Sequence, residues 1–303
     1  MYGVGICDGR VVAITGAGNG IGREHALLFA KEGAKVVVND LGGARDGTGS
    51  DTGAAQAVVD AITTAGGVAV ANTSNIATHA GAKELVDQAI AEFGDIHAVV
   101  NNAGILRDRM LVNMTEDEWD AVIAVHLKGT YGVMHHAAAY WRDQSKAGKQ
   151  VDARIINTSS ASGVFGNLGQ SNYGAAKAGI AAMTIITAGE LARYGVTVNA
   201  ISPTALTRMT EDLDRFKAED AAQELPPAGI SPLVVWLASE ASAGVTGRVF
   251  GVRGGRITVF EGWVNGPFAE TDGIWDPAAL TEVVPGLVAE AAVNAAMDGV
   301  RRP

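Results

Sequence analysis

Val11-Val-Ala-Ile-Thr15 is a short apolar run that reads as a buried strand, and it leads directly into Thr15-Gly-Ala-Gly-Asn-Gly-Ile-Gly22. Helix-compatible sequence follows as far as Gly33. Strand, glycine turn and helix in that order leave few folds open to the chain. Gly16, Gly20 and Gly22 let the backbone turn tightly and come close to a pyrophosphate, which the helix N-terminus attracts. A glycine-spaced turn alone can be purely structural; its place between strand and helix is what points to a dinucleotide. The next apolar run, Lys35-Val-Val-Val-Asn39, ends in Asp40. A carboxylate ~20 residues beyond the glycines can accept hydrogen bonds from the adenosine ribose hydroxyls. It repels a 2′-phosphate, and no basic residue within 17–19 offsets that repulsion.

The alternation continues along the chain. Residues 41–53 are a loop rich in Gly, Asp and Ser. Ala55, Val58, Val59 and Ile62 mark a helical stripe stopped by Gly66-Gly67, and Val68 to Ala71 is a short strand followed by Asn75-Ile76. A further stripe, Ala82 to Phe93, precedes a fourth strand from Ile96 to Val100. That strand ends in Asn101-Asn102-Ala103-Gly104, at the tip where an open α/β sheet keeps its ligands. Thr115-Glu-Asp-Glu118 is a capping box for the next helix. Trp119, Val122, Ile123 and His126 share one face of that helix, a place where a histidine is usually a satisfied core residue. Arg154-Ile-Ile-Asn-Thr158 is a fifth strand delivering Ser159 and Ser160. Val196 to Ile201 is a sixth, stopped by Pro203, and Arg248 to Val252 a seventh. The polar segment 204–230, ending in Pro226-Pro227, suits a lid. Strands alternating with helices predict a parallel sheet covered on both faces.

Tyr173 and Lys177 stand four apart, so a helix projects both from one face. A phenol beside an ammonium makes an acid–base pair from groups otherwise too basic for neutral pH. Ser160, at the end of the preceding strand, can hold a carbonyl or alcohol oxygen beside that phenol. Alone, Tyr-x-x-x-Lys is an ordinary helix face; the rest of the chain gives it meaning. The net charge of −10 excludes a nucleic-acid backbone as the natural partner. One cysteine, Cys7, allows no internal disulfide. Without a signal peptide or a long uninterrupted apolar run, the chain is expected to be soluble and cytoplasmic, with no membrane partner. No metal site is assigned.

Together, Thr15-Gly16-x-x-x-Gly20-x-Gly22, Asn101-Asn102-Ala103-Gly104, Ser160 and Tyr173-x-x-x-Lys177 resemble the short-chain dehydrogenase/reductase family over about residues 8 to 265. The segments 36–43, 101–109, 125–129 and 158–163 are similar to one branch, the (3R)-hydroxyacyl-CoA dehydrogenase part of multifunctional enzyme type 2 and its single-domain bacterial relatives. The resemblance implies a doubly wound Rossmann-type sheet of about seven strands with helices on both faces. It implies an oligomer, a homodimer or homotetramer, paired through the helices carrying Tyr131 and Tyr173. In this reading one dinucleotide-binding and catalytic domain spans 1–303, with the lid at 204–230 and a C-terminal extension at 256–303 containing Trp263, which helps to close the apolar side of the site.

The family's roles follow by position. Tyr173 accepts the proton in alcohol oxidation. Lys177 binds nicotinamide ribose hydroxyls and lowers the phenol pKa, and Ser160 orients the substrate oxygen. Gly16, Asn19, Ile21 and Asp40 hold adenosine and pyrophosphate, Asn75 and Ile76 the adenine, and Asn102 the neighbouring ribose. His126 stands where most of the superfamily has an asparagine that helps a water relay protons, and imidazole can donate and accept in the same way. Pro203-Thr204 replaces the usual Pro-Gly, and the following segment is one residue shorter, which loosens any assignment of Thr207 to the nicotinamide.

The expected activity is NAD-dependent oxidation of a secondary alcohol, in a (3R)-hydroxyacyl-CoA or a 17β-hydroxysteroid-type substrate, to the ketone. The competing enzyme is an NADPH-dependent 3-oxoacyl-carrier-protein reductase, which Asp40 disfavours. The competing non-enzyme is a catalytically idle dinucleotide sensor, which has no need of Ser160, Tyr173 and Lys177 together. For a CoA substrate, Arg107, Arg109, Arg142, Lys146 and Lys149 are the candidate phosphate-facing groups at the rim.

Overall fold

In the computed structural model, which describes residues 5–49, 53–207 and 225–302, the apolar runs become strands of a single sheet. They are β1 Val11–Thr15, β2 Lys35–Asn39, β3 Val68–Asn72, β4 Ala98–Asn101, β5 Ala153–Thr158, β6 Val196–Thr204, β7 Val249–Arg253 and β8 Arg256–Phe260. Their order is β3-β2-β1-β4-β5-β6-β7-β8. Pairings from β3 through β7 are parallel, and β7–β8 is antiparallel. Strands β1, β4 and β5 are buried along their whole length, as expected of parallel strands covered on both faces. The order reverses between β1 and β4. Loops leaving their tips therefore diverge, and a crevice opens between them.

The helices are α1 Gly20–Lys31, α2 Gly53–Thr64, α3 His79–Phe93, α4 Glu116–Ile123, α5 Gly129–Lys146, α6 Ala161–Phe165, α7 Ser171–Leu191, α8 Ser231–Ala238 and α9 Leu280–Glu290. Successive residues of β1 point to opposite faces. Val12 and Ile14 join Phe29 of α1, Ile62 of α2 and Val234 of α8 in one core. Val11 and Ala13 join Leu85 of α3 and Val133 and Trp141 of α5 in the other. The parallel sheet covered on both faces that the alternation predicts is present, in the doubly wound order that the resemblance implies.

Three local features depart from the sequence reading. The sheet gains β8, which the sequence reading left in the C-terminal extension; a two-residue turn at Gly254-Gly255 returns the chain alongside β7. Strand β6 runs through Pro203 to Thr204. Its pairing with β5 ends at Thr158–Ile201, so beyond that point it has a neighbour on one side only, where a residue without an N–H is tolerated. Between α4 and α5, Ala124–Lys128 forms a π-turn. The capping box is as expected: Glu118 N donates to Thr115 Oγ1 at 3.2 Å and Thr115 N to Glu118 Oε2 at 3.0 Å.

The expected lid lies mostly outside the described residues. Its described ends meet where Leu206 N donates to Leu225 O at 2.8 Å. By contacts the chain forms two units, Met1–Phe260 and Glu261–Pro303. The second contains α9 and a bridge between Ala295 and Arg301.

Candidate active site

The glycine turn closes on itself and on the tip of β4. Gly16 has φ +64°, and a Cβ there would lie 2.7 Å from the Ala103 Cα. A Cβ on Gly22 would lie 2.1 Å from the Gly16 carbonyl oxygen. Neither position accepts a side chain without moving backbone. Asn102 braces the turn: its Nδ2 donates to the carbonyls of Thr15 and Gly16, both at 3.0 Å, and its N–H to Thr15 Oγ1 at 3.0 Å. Asp40 braces it from the β2 side. Its Oδ2 accepts from Gly18 N and its Oδ1 from Gly42 N, both at 2.7 Å. Each of these oxygens keeps a second lone pair for a ligand. Below it, Asn39 Nδ2 donates to Asn72 Oδ1 at 2.6 Å and to Ser74 O at 2.9 Å, tying β2 to the loop after β3.

Of the residues expected to touch the dinucleotide, Gly16, residues 19–22, Asp40, Asn75, Ile76, residues 102–104 and Thr207 line one cleft, and Tyr173 and Lys177 are not in its lining. The sequence reading missed Leu41, Arg45 and Val125 in the same lining. Val125 could have been found from its place beside His126; Leu41 and Arg45 sit in a loop whose path only the fold defines. The cradle without side chains, at the N-terminus of α1 and with a carboxylate at the tip of β2, fits a nicotinamide dinucleotide.

Ser160, Tyr173 and Lys177 come together beyond the cleft lining. Ser160 caps α6 by accepting from Ser162 N at 3.2 Å, and its hydroxyl is near enough to the Tyr173 phenol to lower the phenol pKa. Lys177 is buried, and its Nζ donates to Thr158 O at 2.6 Å and lies 5.5 Å from the centre of the Tyr173 ring. Burial pushes the Tyr173 phenol above its ordinary value; the neighbouring Ser160 hydroxyl opposes that, and the Asp108 charge adds to it. Burial also pushes the Lys177 ammonium down to about 7. In the chain by itself, desolvation thus outweighs the lowering of the phenol that the motif implied.

The start of α7 is bolted to the loop after β4, which the sequence reading did not anticipate. Buried Asn172 donates through Nδ2 to Arg107 O at 3.0 Å and Glu118 O at 3.1 Å, and its Oδ1 accepts from Tyr173 N at 2.7 Å. Gln170 Nε2 donates to Asp108 Oδ2 at 2.8 Å, while its Oε1 accepts from Ser162 Oγ at 2.7 Å. The polar run immediately before Tyr173 was the available signal.

His126 lies on the π-turn, 1% exposed, edge-on to the Tyr173 ring with centroids 5.1 Å apart. Its Nε2 sits 2.8 Å from Ile105 O and its Nδ1 has no hydrogen-bond partner. A Cβ on Gly104 would lie 2.3 Å from its ring. Burial, then the charge of Lys177, holds its pKa well below the ordinary histidine value. His126 is therefore a neutral ring supporting the wall that carries residues 104 and 105. Ile105 N–H also points at the same Nε2, at 3.0 Å, so His126→Leu is expected to deprive the Ile105 backbone of its side-chain partner and to cost about 1–3 kcal/mol of stability. Urea denaturation checks this, and an unchanged midpoint would remove His126 from that supporting role.

The candidate basic rim divides. Arg107 and Arg109 are in the loop after β4, held by Arg107 Nε to Asp46 O at 2.9 Å and Arg109 Nε to Glu118 Oε1 at 3.0 Å. Arg142, Lys146 and Lys149 lie toward the opposite end of the strands, at the end of α5 and in the segment leading into β5. Trp141 Nε1 donates to Ile96 O, just ahead of the first residue of β4, at 2.7 Å. A crossover helix runs back against its strands, so the residues preceding β5 are carried away from the strand tips.

Comparison with known proteins agrees with this geometry. The profile of the short chain dehydrogenases matches residues 10–218. The chain is 46% identical over 286 residues to hydroxyacyl-CoA dehydrogenase ChsB1 of Mycobacterium tuberculosis, covering 90% of this chain and 87% of that protein. It is 45% identical over 258 residues to peroxisomal multifunctional enzyme type 2 of Mus musculus, covering 85% of this chain and 32% of that protein. A crystal structure of a short chain dehydrogenase from Mycobacterium avium matches with a TM-score of 0.87 and 55% identity, over 96% of this chain and 98% of that one.

Proposed function

The chain belongs to the short-chain dehydrogenase family, and from that premise we propose that it oxidises the secondary alcohol of a (3R)-hydroxyacyl-CoA to the ketone with NAD. It is an oxidoreductase that uses a nicotinamide dinucleotide and a small-molecule substrate. The observation that carries the proposal is the convergence of Ser160, Tyr173 and buried Lys177 on one another, with the glycine cradle beside them. Gly16, residues 19–22 and Asp40 hold the adenosine side; Lys177 reaches the nicotinamide ribose. A dinucleotide held there would supply the acceptor for the carbinol hydrogen and its electron pair. Ser160 donates to the substrate oxygen and orients it. Tyr173 takes the hydroxyl proton as general base. Lys177, anchored on Thr158 O, lies behind the phenol, and its protonated form favours the phenolate.

Asp40 is the reason for choosing NAD over NADP. With a like charge facing a 2′-phosphate, NAD is expected to be preferred, and Asp40→Ala to narrow the gap. Loss of charge-assisted bonds of ~1.5–3 kcal/mol costs NAD about tenfold or more. Equal kcat/KM of the unaltered chain for the two cofactors would sink this assignment.

The CoA portion is supported by Arg107 and Arg109 at the rim and by the activity named for the Mycobacterium tuberculosis relative. A (3R)-hydroxyacyl-CoA is expected to be oxidised with higher kcat/KM than the same acyl group on a short thioester without the nucleotide. Added salt narrows the difference by screening exposed phosphate–Arg attraction. If the short thioester serves equally well at low salt, the CoA reading fails and a neutral steroid alcohol replaces it. The same reading pairs copies of the chain through α5 and α7. It is supported by the exposure of Tyr131, Ile185 and Ile186, at 47%, 53% and 59%.

A further inference from the structure

Outside the cleft lining, three imidazoles converge: His79 in the first turn of α3, and His135 and His136 midway along α5. Ring centroids are 4.2 Å apart for His79 and His136, 5.2 Å for His79 and His135, and 5.0 Å for His135 and His136. One ring nitrogen from each lies within 4.8 Å of those of the other two. The cluster exists because α3 and α5 pack closely. A Cβ on Gly132 would lie 2.9 Å from that of Ala82. Side chains on α5 lean back toward its N-terminus, which brings positions 135 and 136 over the start of α3.

His136 Nε2 sits 3.2 Å from His79 O. A carbonyl oxygen only accepts, so Nε2 carries the proton and Nδ1 presents its lone pair. Metal-ligating histidines are commonly fixed in this way, the second ring nitrogen donating to a backbone carbonyl.

We propose that His79, His135 and His136 form a binding site for a divalent transition-metal cation, with zinc as the type. Three imidazoles without a thiolate or carboxylate suit Zn²⁺, Cu²⁺ or Ni²⁺ and not the oxygen-seeking Mg²⁺ or Ca²⁺. Tetrahedral ligation leaves the fourth position to water. Imidazole nitrogens bound at ~2.0–2.1 Å in that geometry are about 3.3 Å apart, so ligation draws the rings together. In the chain by itself His79 and His135 are exposed and can turn to do so. The site joins α3 to α5 just beyond Asn75 and Ile76, which line the dinucleotide cleft. Bound metal therefore staples the element that follows this wall.

Zinc chloride titrated into the untagged full chain, followed by calorimetry, tests the site. One zinc per chain is expected. His79→Gln and His135→Gln are each expected to weaken binding at least ~10-fold, since losing even an outer partner of a metal ligand typically costs ~10–100-fold. NAD affinity in the absence of zinc should be unchanged in both, which shows that the variants are folded. No saturable binding by the unaltered chain, or binding by both variants at unaltered affinity, overturns the site.

Discussion

Tyr173→Phe is expected to bind NAD as the unaltered chain does and to lose nearly all turnover, ~10²–10⁴-fold in kcat. The substitution removes one oxygen from a ring whose packing against His126 and Lys177 is otherwise kept. The cradle around Gly16 and Asp40 does not touch that oxygen, so the binding and catalytic effects separate. Fluorescence titration of NAD together with steady-state kinetics measures both. Near-normal kcat in the Phe variant would remove Tyr173 from the mechanism.

Acid is expected to destabilise the fold well before the carboxylates titrate. His25 of α1 is fully buried; its Nδ1 lies 2.8 Å from Ser231 Oγ at the start of α8, and its Nε2 has no hydrogen-bond partner. Burial lowers its pKa from 6.5 to about 3. Burial and the Lys177 charge also hold the pKa of His126 well below 6.5. The unfolded chain takes up these protons near the ordinary histidine value, whereas the folded chain does not. Stability is therefore complete above that value and falls as the pH drops through the interval between the two pKa values. His25 alone accounts for ~2 kcal/mol by about pH 5. Unfolding free energy measured in urea across that range should fall, and His25→Asn should flatten the slope. A variant with the same slope as the unaltered chain would exclude His25 as the acid-sensitive group.

The sequence alone determined the alternating strands and helices, the glycine turn, Asp40 and the set of Ser160, Tyr173 and Lys177. Each is a local signal. An apolar run, a glycine spacing or a four-residue interval states the chemistry within one turn or one strand. The capping box at Thr115 and Glu118 was legible for the same reason, because both partners lie in a single helical turn. What the tertiary structure decided depends on partners far apart in the chain. Asn172 reaches the backbone of Arg107 and Glu118, and Arg142, Lys146 and Lys149 are carried toward the far end of the strands by the direction of α5. His79 meets His136, although 57 positions separate them. Burial, too, is a property of the assembled chain. Desolvation keeps His126 neutral, draws Lys177 down to about 7 and raises Tyr173, reversing in the chain by itself the shift that the Tyr–Lys spacing had suggested.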